Sequence, residues 1–81
     1  MMTADEMLLK GYSFEKMRLY FYMMKEAGVA KAEPEFYHRE YNRMRYLAIK
    51  KNKKKWSVIQ KRAGKWLELI LDNCEIAAKA A

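Results

Sequence analysis

The sequence predicts an all-α fold, a small helical bundle of three main helices and a short N-terminal helix. Apolar residues in the second half of the chain recur at intervals of three and four, as on one face of a helix. They do not alternate with polar residues as they do in a half-buried strand. With 81 residues, the chain is expected to form a single helical domain, close to the size at which one hydrophobic core only just stabilises a fold.

The first helix is predicted from its two ends. Thr3 followed by Glu6 forms a capping box, in which each side chain accepts a hydrogen bond from a backbone N–H of the first turn. Gly11 favours the left-handed conformation that ends many helices. A helix of about two turns is therefore expected between these positions.

The second helix is predicted over residues 14–27. Ser13 is suited to be its N-cap, and Glu15 is favourable near the positive end of the helix dipole. Gly28 lies where a left-handed residue would end the helix. The segment 29–33 that follows is expected to be a linker.

The third helix is predicted to run from about residue 34 to residue 51. Pro34 fits its first turn, where the missing backbone N–H would have had no partner. At 100° per residue, the apolar residues of this segment form one stripe, which is expected to face the core. The stripe comprises Tyr37, Tyr41, Met44 and Ala48.

The fourth helix has the strongest periodic pattern in the chain. Ser57 and Gln60 form a second capping box, and the apolar residues that follow repeat at intervals of three and four. This stripe consists of Ile59, Ala63, Trp66, Ile70, Cys74 and Ala77. Gly64 within the helix costs about 1 kcal/mol relative to Ala, which the close approach of a neighbouring helix would offset.

The third and fourth helices have an alternative arrangement as one continuous helix over residues 35–79. Their stripes are in phase, because the eleven residues from Ala48 to Ile59 make about three turns. A continuous stripe would, however, include Asn52 and Lys55, and globular helices of that length are rare. The broken arrangement is favoured, with a turn at the lysine run.

Positive charge is concentrated in one third of the chain. Residues 39–65 contain eleven Lys and Arg residues and a single acid, Glu40, which gives them a net charge of +10, whereas the rest of the chain has six basic and nine acidic residues. Such segregation destabilises a fold through self-repulsion. It favours a polyanionic partner.

Four of these cations and a tyrosine share one face of the predicted third helix. They are Arg39, Arg43, Tyr46, Lys50 and Lys53. A helical row of Arg and Lys matches the closely spaced phosphates of a nucleic acid, and an interleaved Tyr can stack on a base. A solvated helix face is the competing interpretation. The predicted phosphate contacts are Arg39, Arg43, Arg45, Lys50, Lys51, Lys53, Lys54, Lys55, Lys61, Arg62 and Lys65, and the predicted stacking groups are Tyr46 and Trp56.

The charges of the fourth helix have an order that the helix dipole disfavours. Cations lie near its N-terminus and anions in its C-terminal half. A site that breaks a local rule without structural gain is a candidate functional site. The residues concerned are Lys61, Arg62 and Lys65, followed by Glu68, Asp72 and Glu75.

The second helix supports a rival hypothesis. Its apolar arc is wider than half the circumference, which predicts either a central position in the bundle or a protein interface. The interface residues would be Met17, Tyr20, Met23 and Met24. In that case the chain would be a homodimer, or a small regulator or inhibitor that docks on an acidic protein surface.

Enzymatic, metal-binding and membrane functions receive little support. One His, His38, and one Cys, Cys74, provide neither a usual zinc site nor a catalytic constellation, and Cys74 lies on an apolar stripe, where a structural thiol is expected. We expect no cofactor and no metal. No apolar run approaches the length of a membrane span, so we expect no membrane partner and a cytoplasmic or nucleoid-associated protein, or a nuclear one in a eukaryote.

Overall fold

The computed structural model describes the backbone of residues 1–80 and the side-chain surroundings of residues 1–70. The described part is all-α and has no strand, as the sequence predicts. It contains five helices: α1 (Ala4–Leu9), α2 (Phe14–Glu26), α3 (Val29–Ala32), α4 (Pro34–Asn52) and α5 (Trp56–Ala80).

Both ends of α1 lie where the sequence predicts them, and of the two capping-box hydrogen bonds the structure has the one that Thr3 accepts. The Thr3 hydroxyl oxygen accepts a hydrogen bond from the Glu6 N–H at 3.2 Å. At the other end, Gly11 is left-handed with φ 82°, its N–H donates to Leu8 O, and the N–H of the next residue donates to Met7 O. This pair of hydrogen bonds is a Schellman motif, which satisfies carbonyls that the last helical turn leaves without partners.

The ends of α2 are also confirmed, but the segment after it is not a linker. The Ser13 hydroxyl oxygen accepts from the Lys16 N–H at 3.1 Å, and Gly28 has φ 86°. Residues 29–33 were predicted to be irregular, whereas four of them form the single turn α3. Gly28 O accepts hydrogen bonds from Lys31 and Ala32, so the residue that ends α2 also begins α3.

The lysine run separates α4 from α5, so the broken arrangement is correct. Lys53 has φ 51°, and this left-handed residue ends α4 one residue after Asn52. The predicted capping box at Ser57 is wrong, because α5 already begins at Trp56. The Val58 N–H instead donates to Lys55 O at 3.0 Å in the first turn.

The main core lies between α1, α2 and α4. Its fully buried side chains include Met7, Met17, Phe21 and Met44. Phe21 packs edge-on against Tyr37 and Tyr41, with ring centroids 5.9 Å apart in each pair. Aromatic pairs in this geometry add about 0.5–1.5 kcal/mol beyond the area they bury.

The buried face of α4 is wider than the predicted stripe. Tyr37, Met44 and Ala48 are buried and Tyr41 is partly buried, as expected, but Leu47 is buried as well. Glu40 also lies on this face. The core of the bundle therefore includes a carboxylate that apolar periodicity cannot reveal.

Within the side chains that the structure describes, the α5 stripe is covered by the rest of the bundle only at its beginning. Ile59 and Ala63 are buried, whereas Trp66 is 59% exposed and Ile70 is 36% exposed. Cys74 and Ala77, which complete the predicted stripe, lie outside the described side chains. No close helix approach occurs at Gly64, because a Cβ atom there would meet nothing within 4 Å.

Across the described part of the chain, no helix combines the length and apolar character that a bilayer span requires.

Candidate nucleic-acid interface

A row of cations follows one exposed face of α4. Arg39, Arg43, Tyr46 and Lys50 are all exposed and succeed one another at intervals of four, three and four residues. These intervals keep them on one side of the helix, about 5–6 Å apart along its axis. We call these four residues the α4 row.

Tyr46 lies between two cations in the middle of the α4 row. Lys50 Nζ donates a hydrogen bond to the Tyr46 hydroxyl oxygen at 3.1 Å, and the same nitrogen lies 5.4 Å from the ring centroid. Arg43 Cζ lies 6.0 Å from the same centroid. The Tyr46 hydroxyl accepts this bond, so its own O–H can still donate to a ligand.

These cations lower the pKa of Tyr46. The hydrogen bond from Lys50 is the largest cause, followed by the charge of Lys50, and the charge of Arg43 acts in the same direction. Both cations stabilise the tyrosinate more than the neutral phenol. The shift reports a positive potential at the Tyr46 hydroxyl.

The arginines of the α4 row form ion pairs with two carboxylates. The sequence pattern does not predict either pair. Asp5 of α1 accepts from Arg43 Nε and Nη2, each at 3.4 Å, and Glu40 accepts from Arg39 Nε at 3.3 Å. Both arginines therefore have carboxylate partners. The Arg43 pair is exposed on both sides, so it contributes at most about 1 kcal/mol.

Glu40 has a structural role besides its contact with Arg39. Its side chain is almost fully buried, and Oε2 accepts a hydrogen bond from the Ala4 N–H at 3.0 Å. Ala4 is the first residue of α1, where backbone N–H groups have no partner within the helix. This hydrogen bond links the N-terminus of α1 to α4.

The lysine turn, residues 53–55, continues the positive surface beyond the end of α4. Lys53, Lys54 and Lys55 are exposed, and so are the neighbouring cations Arg45, Lys50 and Lys51. Among the described side chains, none of these six lies within salt-bridge distance of a carboxylate. This part of the surface therefore concentrates six cations and includes none of the described ion pairs.

The cations at the start of α5 are exposed as well. Lys61, Arg62 and Lys65 lie on its first turns, and Arg62 Nη1 is 3.7 Å from a carboxylate oxygen of Glu15 in α2. Trp56, the predicted stacking group at the start of the same helix, is only partly exposed. Its ring packs edge-on against Tyr41 at 6.1 Å and belongs to the edge of the core.

The residues predicted to form a protein interface on α2 belong mostly to the core. Met17 and Met24 are buried, so they cannot contact a partner in this fold. Tyr20 is partly buried, and its hydroxyl accepts a hydrogen bond from the Met2 N–H at 2.8 Å. Only Met23 is strongly exposed. The wide apolar arc of α2 reflects its central position in the bundle.

No metal-binding cluster of three or more His, Cys, Asp or Glu side chains occurs among the described residues. His38 is exposed on α4 beside Tyr37, with ring centroids 5.7 Å apart.

Comparison with models of protein families, with curated proteins and with solved structures finds no match to this chain. Its function must therefore be argued from its own residues.

Proposed function

We propose that this protein is a non-enzymatic nucleic-acid-binding protein that holds the phosphate backbone on a basic surface formed by residues 39–65, with DNA slightly preferred over RNA. The observation that carries the proposal is the group of six exposed cations around the end of α4, which no described carboxylate neutralises. The group consists of Arg45, Lys50, Lys51, Lys53, Lys54 and Lys55. Clustered cations gain free energy when phosphates displace condensed counterions into solution.

The α4 row provides directional contacts next to this cluster. A phosphate at Tyr46 would receive the phenol O–H and the charges of Lys50 and Arg43 together. Arg43 would exchange its exposed pair with Asp5 for a phosphate, at small cost because that pair is solvated. Half-exposed at 51%, the Tyr46 ring also offers a stacking surface for a base.

The conformation of Lys53 gives independent support. Among residues 1–80 it is the only non-glycine residue with positive φ. This conformation costs an L-residue about 1–2 kcal/mol, and helices that end in it usually have Gly there. A lysine at this position is unfavourable for folding, which is expected where a charge is needed for binding.

The test is the affinity for a fluorescent duplex of random sequence, measured by anisotropy over a series of salt concentrations. A phosphate binder loses affinity steeply as salt rises, with a slope of roughly −0.9 in log K against log salt per phosphate contact on B-DNA. The triple variant Lys53→Gln, Lys54→Gln, Lys55→Gln should make this slope shallower by roughly two to three.

The matched control is the triple variant Lys10→Gln, Lys25→Gln, Lys31→Gln. These three lysines are exposed and lie outside the basic surface, so the control has the same net charge as the test variant. It should keep most of the affinity and the wild-type slope. Equal losses in the two variants would mean that only net charge matters, which contradicts a defined surface.

Absence of binding to duplex, single strand and RNA hairpin even at low salt would overturn the proposal. The basic surface would then be assigned to an acidic protein partner, which satisfies the same electrostatics. A single stoichiometric protein recovered after nuclease treatment would identify that alternative.

A further inference from the structure

An apolar groove lies between the start of α2 and the middle of α5, away from the α4 row. It encloses a cavity of about 540 Å³, which is large enough to hold several side chains. Leu19, Trp66 and Ile70 form its apolar lining, and Glu15 and Arg62 lie among its polar residues. We call it the α2–α5 groove.

The part of α5 beside this groove exposes large apolar side chains. Trp66 is 59% exposed and Leu69, on the following turn, is 62% exposed. Together with Ile70 they form a contiguous patch, because residues three and four positions apart share one side of a helix. Contiguous apolar patches of this kind mark interaction sites.

The charge order of α5 indicates what covers the patch. In the sequence, residues 56–65 carry Lys61, Arg62 and Lys65 without an acid, a net charge of +3, and residues 66–75 carry three acids without a base, a net charge of −3. Of the oppositely charged pairs among these six residues, only Lys65 and Glu68 are three or four residues apart, so most of the charges cannot pair within one helix. An antiparallel copy of the same helix would place each half beside the opposite charge.

We infer that α5 pairs antiparallel with α5 of a second copy, about a two-fold axis near Leu67, and that the protein is a homodimer. In this register, Trp66 and Leu69 of each copy reach the α2–α5 groove of the other copy. The basic segment 61–65 of one helix lies beside the acidic half of its partner, so in the dimer these cations face carboxylates and the phosphate contacts are made by the cations of residues 39–55. A two-fold interface of this kind is self-complementary, because the same patch serves both copies.

The first experiment is sedimentation equilibrium of the full chain from micromolar to millimolar concentration. We expect a mass that approaches twice the 9.7 kDa of the chain. Leu69→Glu should raise the dissociation constant at least tenfold, since it puts a charge into the apolar patch without disturbing the monomer core. The control is Leu9→Glu, which makes the same change at an 88% exposed leucine of α1 and should leave the mass unchanged.

The second experiment tests the charge pairing. One variant carries Lys61→Glu and Lys65→Glu, and the other carries Glu68→Lys and Asp72→Lys. All four positions lie more than one turn from either end of α5, where the helix dipole has little effect, so the circular dichroism of each variant is measured to check that it folds. Each variant alone should be monomeric at concentrations where the wild type is dimeric, and an equimolar mixture should recover the dimer.

A wild-type chain that remains monomeric at all these concentrations would overturn the inference and assign the groove to a different protein. A dimer that tolerates Leu69→Glu, or two charge variants that fail to recover the dimer when mixed, would overturn the proposed interface. These outcomes are independent of nucleic-acid binding, because mass is measured without nucleic acid.

Discussion

Glu40 couples the short N-terminal helix to the cationic helix. Its buried carboxylate accepts the Ala4 N–H, so Glu40→Ala leaves a donor at the α1 N-terminus without a partner. Loss of such an acceptor costs about 1–3 kcal/mol. We expect the free energy of unfolding, measured with urea, to fall by that amount. Glu40→Gln should lose clearly less, because its amide oxygen can still accept the bond.

The control for this prediction is Glu26→Ala, which removes an exposed carboxylate of α2 and should change stability by no more than about 0.5 kcal/mol. Equal stabilities of Glu40→Ala and Glu40→Gln would contradict the role of the hydrogen bond to Ala4.

The pKa of Tyr46 should lie below that of a free tyrosine, and the pKa of Tyr37 should lie above it. Lys50 and Arg43 lower the pKa of Tyr46, whereas burial, assisted by Tyr41 and opposed by Arg18, raises the pKa of Tyr37. In a titration followed by near-ultraviolet absorbance, Tyr46→Phe should therefore remove absorbance change at the low-pH side of the curve. Tyr37→Phe should remove it at the high-pH side.

The same titration probes the proposed binding site. A phosphate next to Tyr46 disfavours the tyrosinate, so saturating duplex DNA should raise the pKa of Tyr46. If the low-pH component of the curve does not move when DNA binds, the phosphate does not lie at Tyr46.

At the junction between α4 and α5, one substitution should change stability and DNA affinity in opposite directions. Lys53→Gly should raise the free energy of unfolding by about 1 kcal/mol, because glycine adopts the left-handed conformation without steric cost. It should also weaken DNA binding, because a cation is lost. The control Lys54→Gly removes the same charge at a residue whose φ is not positive, and should weaken binding without the gain in stability. Undiminished affinity in Lys53→Gly would count against the proposed surface.

The sequence predicts those features of the helices that depend on neighbouring residues. Thr3, Ser13 and Gly28 act within one turn of their own positions, so three helix ends could be predicted. The α3 turn is too short for a periodic pattern. The pairing of Asp5 with Arg43 joins residues 38 positions apart, and only the packing of α1 on α4 brings them together.

The sequence also does not show which apolar faces of α2 and α5 are buried, because burial depends on residues that are distant in the chain. Periodicity identified the apolar face of α5, but not that Trp66 and Ile70 on that face remain exposed beside a groove. The width of the apolar arc on α2 suggested an interface, whereas Phe21 and Met17 of that arc form the core. Apolar side chains at a core and at an interface follow the same pattern, so only the neighbouring helices distinguish them.

For the molecule as a whole, the net charge of +7 should make stability depend on ionic strength. The three ion pairs in the described part each include an exposed arginine, so they offset little of the repulsion within residues 39–65. Salt screens charges beyond a Debye length of about 10 Å at 0.1 M. We therefore expect the melting temperature to rise as sodium chloride is added at low ionic strength.

Repulsion is concentrated at the lysine turn, so the triple variant Lys53→Gln, Lys54→Gln, Lys55→Gln should melt higher than the wild type at low salt and respond less to added salt. The triple variant Lys10→Gln, Lys25→Gln, Lys31→Gln has the same net charge and should retain most of the salt response. A wild-type melting temperature that falls with salt would mean that the ion pairs dominate. Segregated charge would then cost the fold little, and its unfavourable placement would no longer argue for a polyanionic ligand.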